Sequence, residues 1–225
     1  VILGYSKLAE KNYQLENKSN MPIEKIKKTA STAIQVVKQI LAFTRQKPHE
    51  KEENNLVTTL EEILDILKVA RPPDVTINWE PPPKPIYLTI NPGRFQQLVM
   101  NLCLNAFYAM PDGGELKLML SRHTPQDTKS PEPDDEERQI VLEIIDTGTG
   151  IQEEHLERIF DPLFTTKPGE KGTGLGLFVV KQIVDEYGGK IHVLSEPGKG
   201  TRFMVMFKDE ENGAAGNGKP VRGGA

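Results

Sequence analysis

The sequence predicts an α+β fold in two parts. An N-terminal helical hairpin, expected to pair with a second copy as a four-helix bundle, precedes an α/β sandwich with a mixed sheet and helices on one face. Three observations predict it. Ile23, Ile26, Ala30, Ala33, Val37, Ile40 and Thr44 recur at alternating spacings of three and four, a heptad seam. Beyond residue 55, short strands of alternating polarity are interleaved with helical patterns. Strands that neighbour each other through hairpins argue for antiparallel pairs covered by helices on one side.

Taken in order, the first helix carries a short apolar stripe of Ile2, Leu3, Leu8 and Leu15 that ends at the turn Asn17–Asn20. Asn20 can cap the second helix, and Pro22 suits its first turn. Two such helices leave an apolar face uncovered, so a homodimer is expected, with packing against the rest of the same chain as the other solution. Residues 48–55 read as a charged linker. A helix is expected from Thr59 to Ala70, with Thr59 and Glu62 shaped like a capping box. Strands Val75–Glu80 and Ile86–Asn91 are split by three prolines, and Asn91 with Pro92 opens a helix to Ala109. Leu116, Leu118 and Leu120 alternate as a strand, as do Ile140, Leu142 and Ile144, around a Pro- and acid-rich excursion from His123 to Arg138. A helix over Leu175–Tyr187 and strands Lys190–Ser195 and Thr201–Phe207 complete the pattern. The expected domains are thus 1–47 (hairpin), 48–55 (linker), 56–208 (sandwich) and 209–225 (a Gly-rich disordered tail).

With 225 residues, 37% of them apolar, the chain can hold one or two modest cores. A net charge of -4 gives no general footprint for nucleic acid. The single cysteine, Cys103, lies in an apolar helical run and reads as a small buried hydrophobe. No segment reads as a membrane span or a signal peptide, so a cytoplasmic location without membrane contact is expected for this part. The chain begins Val1-Ile2-Leu3 in mid-pattern, without methionine, and is expected to be a fragment whose parent's membrane anchoring the sequence leaves open.

Two glycine clusters carry the chemistry: Asp146-Thr147-Gly148-Thr149-Gly150 and Gly172-Thr173-Gly174-Leu175-Gly176, the second opening a helix. Glycines let backbone N–H groups approach phosphate oxygens, and a helix N-terminus favours negative charge. Neither cluster fits the lysine-bearing phosphate loop, and the spacing is too tight for a dinucleotide fingerprint. Asn101 and Asn105, four apart, share one helix face and can offer carboxamide oxygens to Mg²⁺. Asp146 ends an apolar strand, where a buried carboxylate needs donors such as a purine amino group. Phe160-Asp161-Pro162-Leu163-Phe164-Thr165-Thr166-Lys167 ends in a cation able to reach phosphate. Each feature alone also fits a bland role: turn glycines, a solvent-facing amide pair, an apolar loop anchor with a solvated lysine.

Together they resemble the sensor histidine kinases of two-component systems. Asn101-x-x-x-Asn105, Asp146-x-Gly148-x-Gly150, Phe160-x-Pro162-x-Phe164, Gly172-x-Gly174-x-Gly176 and Gly198-Lys199-Gly200-Thr201 follow the order of that family's nucleotide-binding motifs. Ile2-Leu3-Gly4-Tyr5 and Leu41-Ala42-Phe43-Thr44-Arg45 are similar to segments of its dimerisation and phosphotransfer hairpin. The likeness spans roughly residues 1–208; Asn91 stands where the family more often has Asp, a capping swap. It implies a Bergerat-type ATP site. Asp146 would accept from the adenine amino group, with Gly150 shaping the adenine pocket; Gly148 and Thr201 would be among the nucleotide-binding residues. Asn105 would bind Mg²⁺, supported by Asn101. Residues 161–174 would form a lid, with Phe164, Thr166, Lys167, Gly172 and Thr173 near the nucleotide. Gly174 and Gly176 would offer backbone donors to the triphosphate at the start of the helix that Leu175 opens, Leu175 being among the nucleotide-binding residues. The implied activity is γ-phosphoryl transfer from ATP to a histidine, for relay to a response regulator.

The acceptor histidine breaks the pattern. His49, His123, His155 and His192 are the four present, and none stands in the first helix before an acidic residue. His49-Glu50 lies in the charged linker. The acceptor is therefore expected upstream of Val1, and this chain is not expected to autophosphorylate. Two alternatives compete: an ATP-hydrolysing machine with the same ATP fold, and a non-catalytic nucleotide-binding dimerisation module. The hydrolases carry a water-activating glutamate where Asn101 stands, and an amide cannot serve as that base.

Overall fold

In the computed structural model, residues 51–123, 138–167 and 172–209 are described. The chain divides into two compact units, one of residues 50–162 with 176–225, the other of residues 1–49 with 163–175. The expected hairpin, the bulk of the Pro-rich excursion and the tail beyond Asp209 lie outside the described residues.

In the larger unit the order is β1 (Glu52–Asn55), α1 (Leu56–Ala70), β2 (Val75–Trp79), β3 (Tyr87–Ile90), α2 (Pro92–Ala109), β4 (Gly114–His123), β5 (Gln139–Asp146), α3 (Glu153–Leu156), α4 (Gly176–Glu186), β6 (Lys190–Glu196) and β7 (Gly200–Lys208). Five strands form a mixed sheet in the order β2-β4-β5-β7-β6, with β2 parallel to β4 and every other pair antiparallel. β5 is its middle strand. The register aligns Leu118, Ile144 and Phe203 across three strands, and Leu120, Leu142 and Val205 beside them. All six are buried, and α2 packs across this face. The opposite face carries Lys117, Glu143 and Arg202, the last two joined as an ion pair.

α2 starts as the sequence predicts: the Asn91 side chain accepts from Arg94 N–H at 3.1 Å, and Pro92 occupies the first turn. Phe95, Leu98, Val99, Leu102, Cys103, Ala106 and Phe107 are its buried side. Each large apolar side chain fully removed from water contributes ~1.5–3 kcal/mol. Burial pushes the Cys103 thiol far above its ordinary value, so it stays neutral and serves packing.

Two expectations need correction. Residues 52–55 are not simply linker: they pair antiparallel with β3 in a separate two-stranded sheet. Only Asn54 of β1 is buried, so its polar sequence hides a strand that exists through its partner. The capping box at Thr59 and Glu62 does not form. α1 begins at Leu56, capped by the Asn55 side chain, which accepts from Val57 N–H at 3.1 Å. Thr59 is inside the helix, where its hydroxyl donates to Asn54 Oδ1 at 2.8 Å.

Candidate nucleotide site

The end of β5 delivers Asp146 to the rim of the sheet, opposite Leu116 on one neighbour and Thr201 on the other. It is 5% exposed. Its Oδ1 accepts from Gly148 N–H at 2.9 Å, an Asx turn that aims the carboxylate. Burial pushes its carboxyl above the ordinary value, while N–H groups of Gly148 and Thr201 pull it back. No cation is paired with it among the described residues. A buried carboxylate with spare acceptor capacity fits a neutral N–H donor, which is what the amino group of adenine offers.

The floor of this site is two turns fastened together. Gly198 N–H donates to the Thr149 carbonyl at 2.8 Å. At Gly150, φ is +69° and a Cβ would stand 2.1 Å from the Glu196 carbonyl, so only glycine lets the turns meet. Ser195, which sequence reasoning passed over, holds them from below. It accepts from Ile151 N–H at 2.8 Å, donates to the Gly200 carbonyl at 3.0 Å, and lies 2.9 Å from the Thr201 hydroxyl. A lone serine at a strand end gives no sequence signal of this.

Asn101 and Asn105 are half-buried on α2. Built at Gly176, the first residue of α4, a Cβ would sit 3.5 Å from Asn101 Oδ1 and 3.7 Å from Asn105 Nδ2. The structure therefore brings the asparagine pair and the start of α4 together. Among the described residues no group of three or more His, Cys, Asp or Glu could hold a metal.

In the smaller unit, residues 163–167 and 172–175 run side by side. Leu163 N–H donates to the Gly174 carbonyl at 2.9 Å, and Lys167 N–H to Thr165 Oγ1 at 3.1 Å. Gly174 has φ +65°, and a Cβ there would stand 2.3 Å from the Leu163 carbonyl carbon. Leu163 itself has φ +65° and is 70% exposed, a strained residue of the kind that gathers at functional loops. Phe164 and Lys167 are half-buried, Thr166 is exposed, and Gly172 and Thr173 are half-buried. Burial lowers the Lys167 ammonium below its ordinary value. Leu175 N–H donates to Thr173 Oγ1 at 3.4 Å, a long contact that leaves this amide readily available.

A family model described as histidine kinase-, DNA gyrase B-, and HSP90-like ATPase matches residues 90–211. Sensor kinase CckA of Brucella abortus is 35% identical over 92% of this chain, which spans 22% of that relative's length. The catalytic domain of histidine kinase ThkA, in a nucleotide-free form, superposes with a TM-score of 0.58 at 27% identity, covering 71% of this chain and 96% of that one. A complex of histidine kinase ThkA with response regulator protein TrrA matches at 23% identity and TM-score 0.64, covering 92% of this chain and 56% of that one.

Proposed function

Because this chain belongs to the histidine kinase-, DNA gyrase B- and HSP90-like ATPase family, we propose that it is the ATP-binding catalytic part of a two-component sensor histidine kinase. The buried Asp146 carboxylate, with no cation paired to it among the described residues, carries the reading, since its spare acceptor capacity suits an N–H donor such as the adenine amino group. In this proposal Asp146 accepts from the adenine amino group, and Gly148, Gly150 and Thr201 shape the base pocket. Asn105, steadied by Asn101, would supply a carboxamide oxygen to hold Mg²⁺, which would contribute neutralisation of the triphosphate charge. Gly174, Leu175 and Gly176 present N–H groups to the triphosphate; Phe164, Thr166, Lys167, Gly172 and Thr173 belong to the loop that covers it. Phosphoryl transfer needs mainly positioning and charge neutralisation, and this inventory supplies both.

The acceptor is proposed to be a histidine outside this chain, on a dimeric helical hairpin from which a response regulator takes the phosphoryl group. Among the histidines that the structure describes, His123 and His192 lie in strands and His155 on a four-residue helix. None stands on a long helix of the kind a phosphotransfer hairpin provides. The kinase reading is also supported by Asn101 in place of a water-activating glutamate. Incubation with γ-labelled ATP tests it. A longer polypeptide that includes the residues preceding Val1 should acquire acid-labile label, and the present chain should not. Label on the present chain would refute the placement of the acceptor; none on the longer one would refute the kinase assignment.

A further inference from the structure

Ser195 has one hydroxyl proton and two lone pairs, and its three contacts use all of them. The Gly200 carbonyl, 3.0 Å away, can only accept, so the seryl proton points there. The Ile151 N–H, 2.8 Å away, can only donate, so it takes one lone pair. The remaining contact is with Thr201 Oγ1 at 2.9 Å. All three are hydrogen bonds together in a single proton arrangement, the one in which Thr201 donates to Ser195. The threonyl proton is thereby committed to Ser195, and the lone pairs of Oγ1 are what remain for a ligand.

Thr201 stands directly across from Asp146 in the β5–β7 register, both 5% exposed. We infer that Ser195 is a positioning residue which fixes the direction of the Thr201 hydroxyl, so that the base pocket offers two acceptors and discriminates 6-amino from 6-oxo purines. This rests on the reading of the pocket as an adenine site. An adenine amino group is a donor and matches two acceptors. The 6-oxygen of hypoxanthine would meet lone pairs on both sides, with no hydroxyl free to rotate and rescue it. Without the seryl oxygen, the Thr201 O–H can swing and donate to that oxygen.

The test is the ratio of dissociation constants for ITP and ATP, measured by displacement of a fluorescent ADP analogue. Ser195→Ala should lower the ratio about tenfold, the size of one neutral hydrogen bond changed from opposed to formed. Ser195→Cys keeps the volume but bonds weakly and should give the same shift, so the test survives if alanine fails to fold. Ser195→Thr keeps the hydroxyl and should preserve the wild-type ratio. In a Thr201→Val background Ser195→Ala should leave the ratio unmoved. Equal weakening of both nucleotides by Ser195→Ala would make Ser195 a brace for the turns and overturn the inference while leaving the adenine site intact. An undiminished shift in the Thr201→Val background would equally overturn it. A wild-type chain that binds ITP as well as ATP would overturn the adenine reading and this inference together.

Discussion

Replacing Asp146 with asparagine should move affinity and stability in opposite directions. The amide oxygen can keep the 2.9 Å bond from Gly148 N–H, which leaves the NH₂ group where the second carboxylate oxygen stood. A donor then faces the adenine amino donor. Losing a hydrogen bond to a charged group costs about 1.5–3 kcal/mol, a fall in ATP affinity of roughly ten- to 150-fold. Burial holds the folded-state pKa of Asp146 above the unfolded one, so the folded protein binds this proton more tightly. The group's contribution to stability is therefore present at low pH and lost as pH rises through the folded-state value. At neutral pH the ionised carboxylate is a net burden on the nucleotide-free fold, and Asp146→Asn should raise its thermal midpoint. The gap from wild type should shrink as pH falls and Asp146 takes up its proton. Calorimetric titration with ATP and thermal melts across pH measure the two effects. Unchanged ATP affinity, or a lowered midpoint at neutral pH, would refute the reasoning.

Asn105→Ala should raise the Mg²⁺ concentration needed for tight ATP binding while leaving metal-free nucleotide binding largely intact, as titration in the presence and absence of chelator would show. Gly174→Ala forces a Cβ against the Leu163 backbone at positive φ. The left-handed penalty of ~1–2 kcal/mol should appear as weaker nucleotide binding, with the main melting transition of the sheet unchanged. Asn55→Ala removes the cap of α1 and should cost about 1 kcal/mol in urea unfolding, without altering nucleotide affinity, because the cap acts on Val57 N–H.

What the sequence disclosed, and what it withheld, follows from how local each signal is. Asn91 and Pro92 state the start of α2 outright, and the period-two runs at 116–120 and 140–144 state both strands and their buried faces. Asp146 at a strand end and Asn101 with Asn105 on one helix face could be placed because each position is a fixed offset within one element. Thr59 and Glu62 had the spacing of a cap, but the deciding fact was Asn54 five residues earlier taking the Thr59 hydroxyl in a buried contact. β1 is equally non-local: Glu-Glu-Asn-Asn has no strand pattern, and its pairing is set by residues 87–90. Ser195 acquires its role from Ile151, Gly200 and Thr201, brought beside it by loop and register.

Asp146 ends a strand that is zipped along both margins by long antiparallel ladders, β4 on one side and β7 on the other. Freeing its backbone means stripping two neighbours at once, so its amides should rank among the slowest to exchange with deuterated solvent. A ligand bound as proposed would meet a foundation already rigid, with none of its binding free energy consumed in ordering that residue.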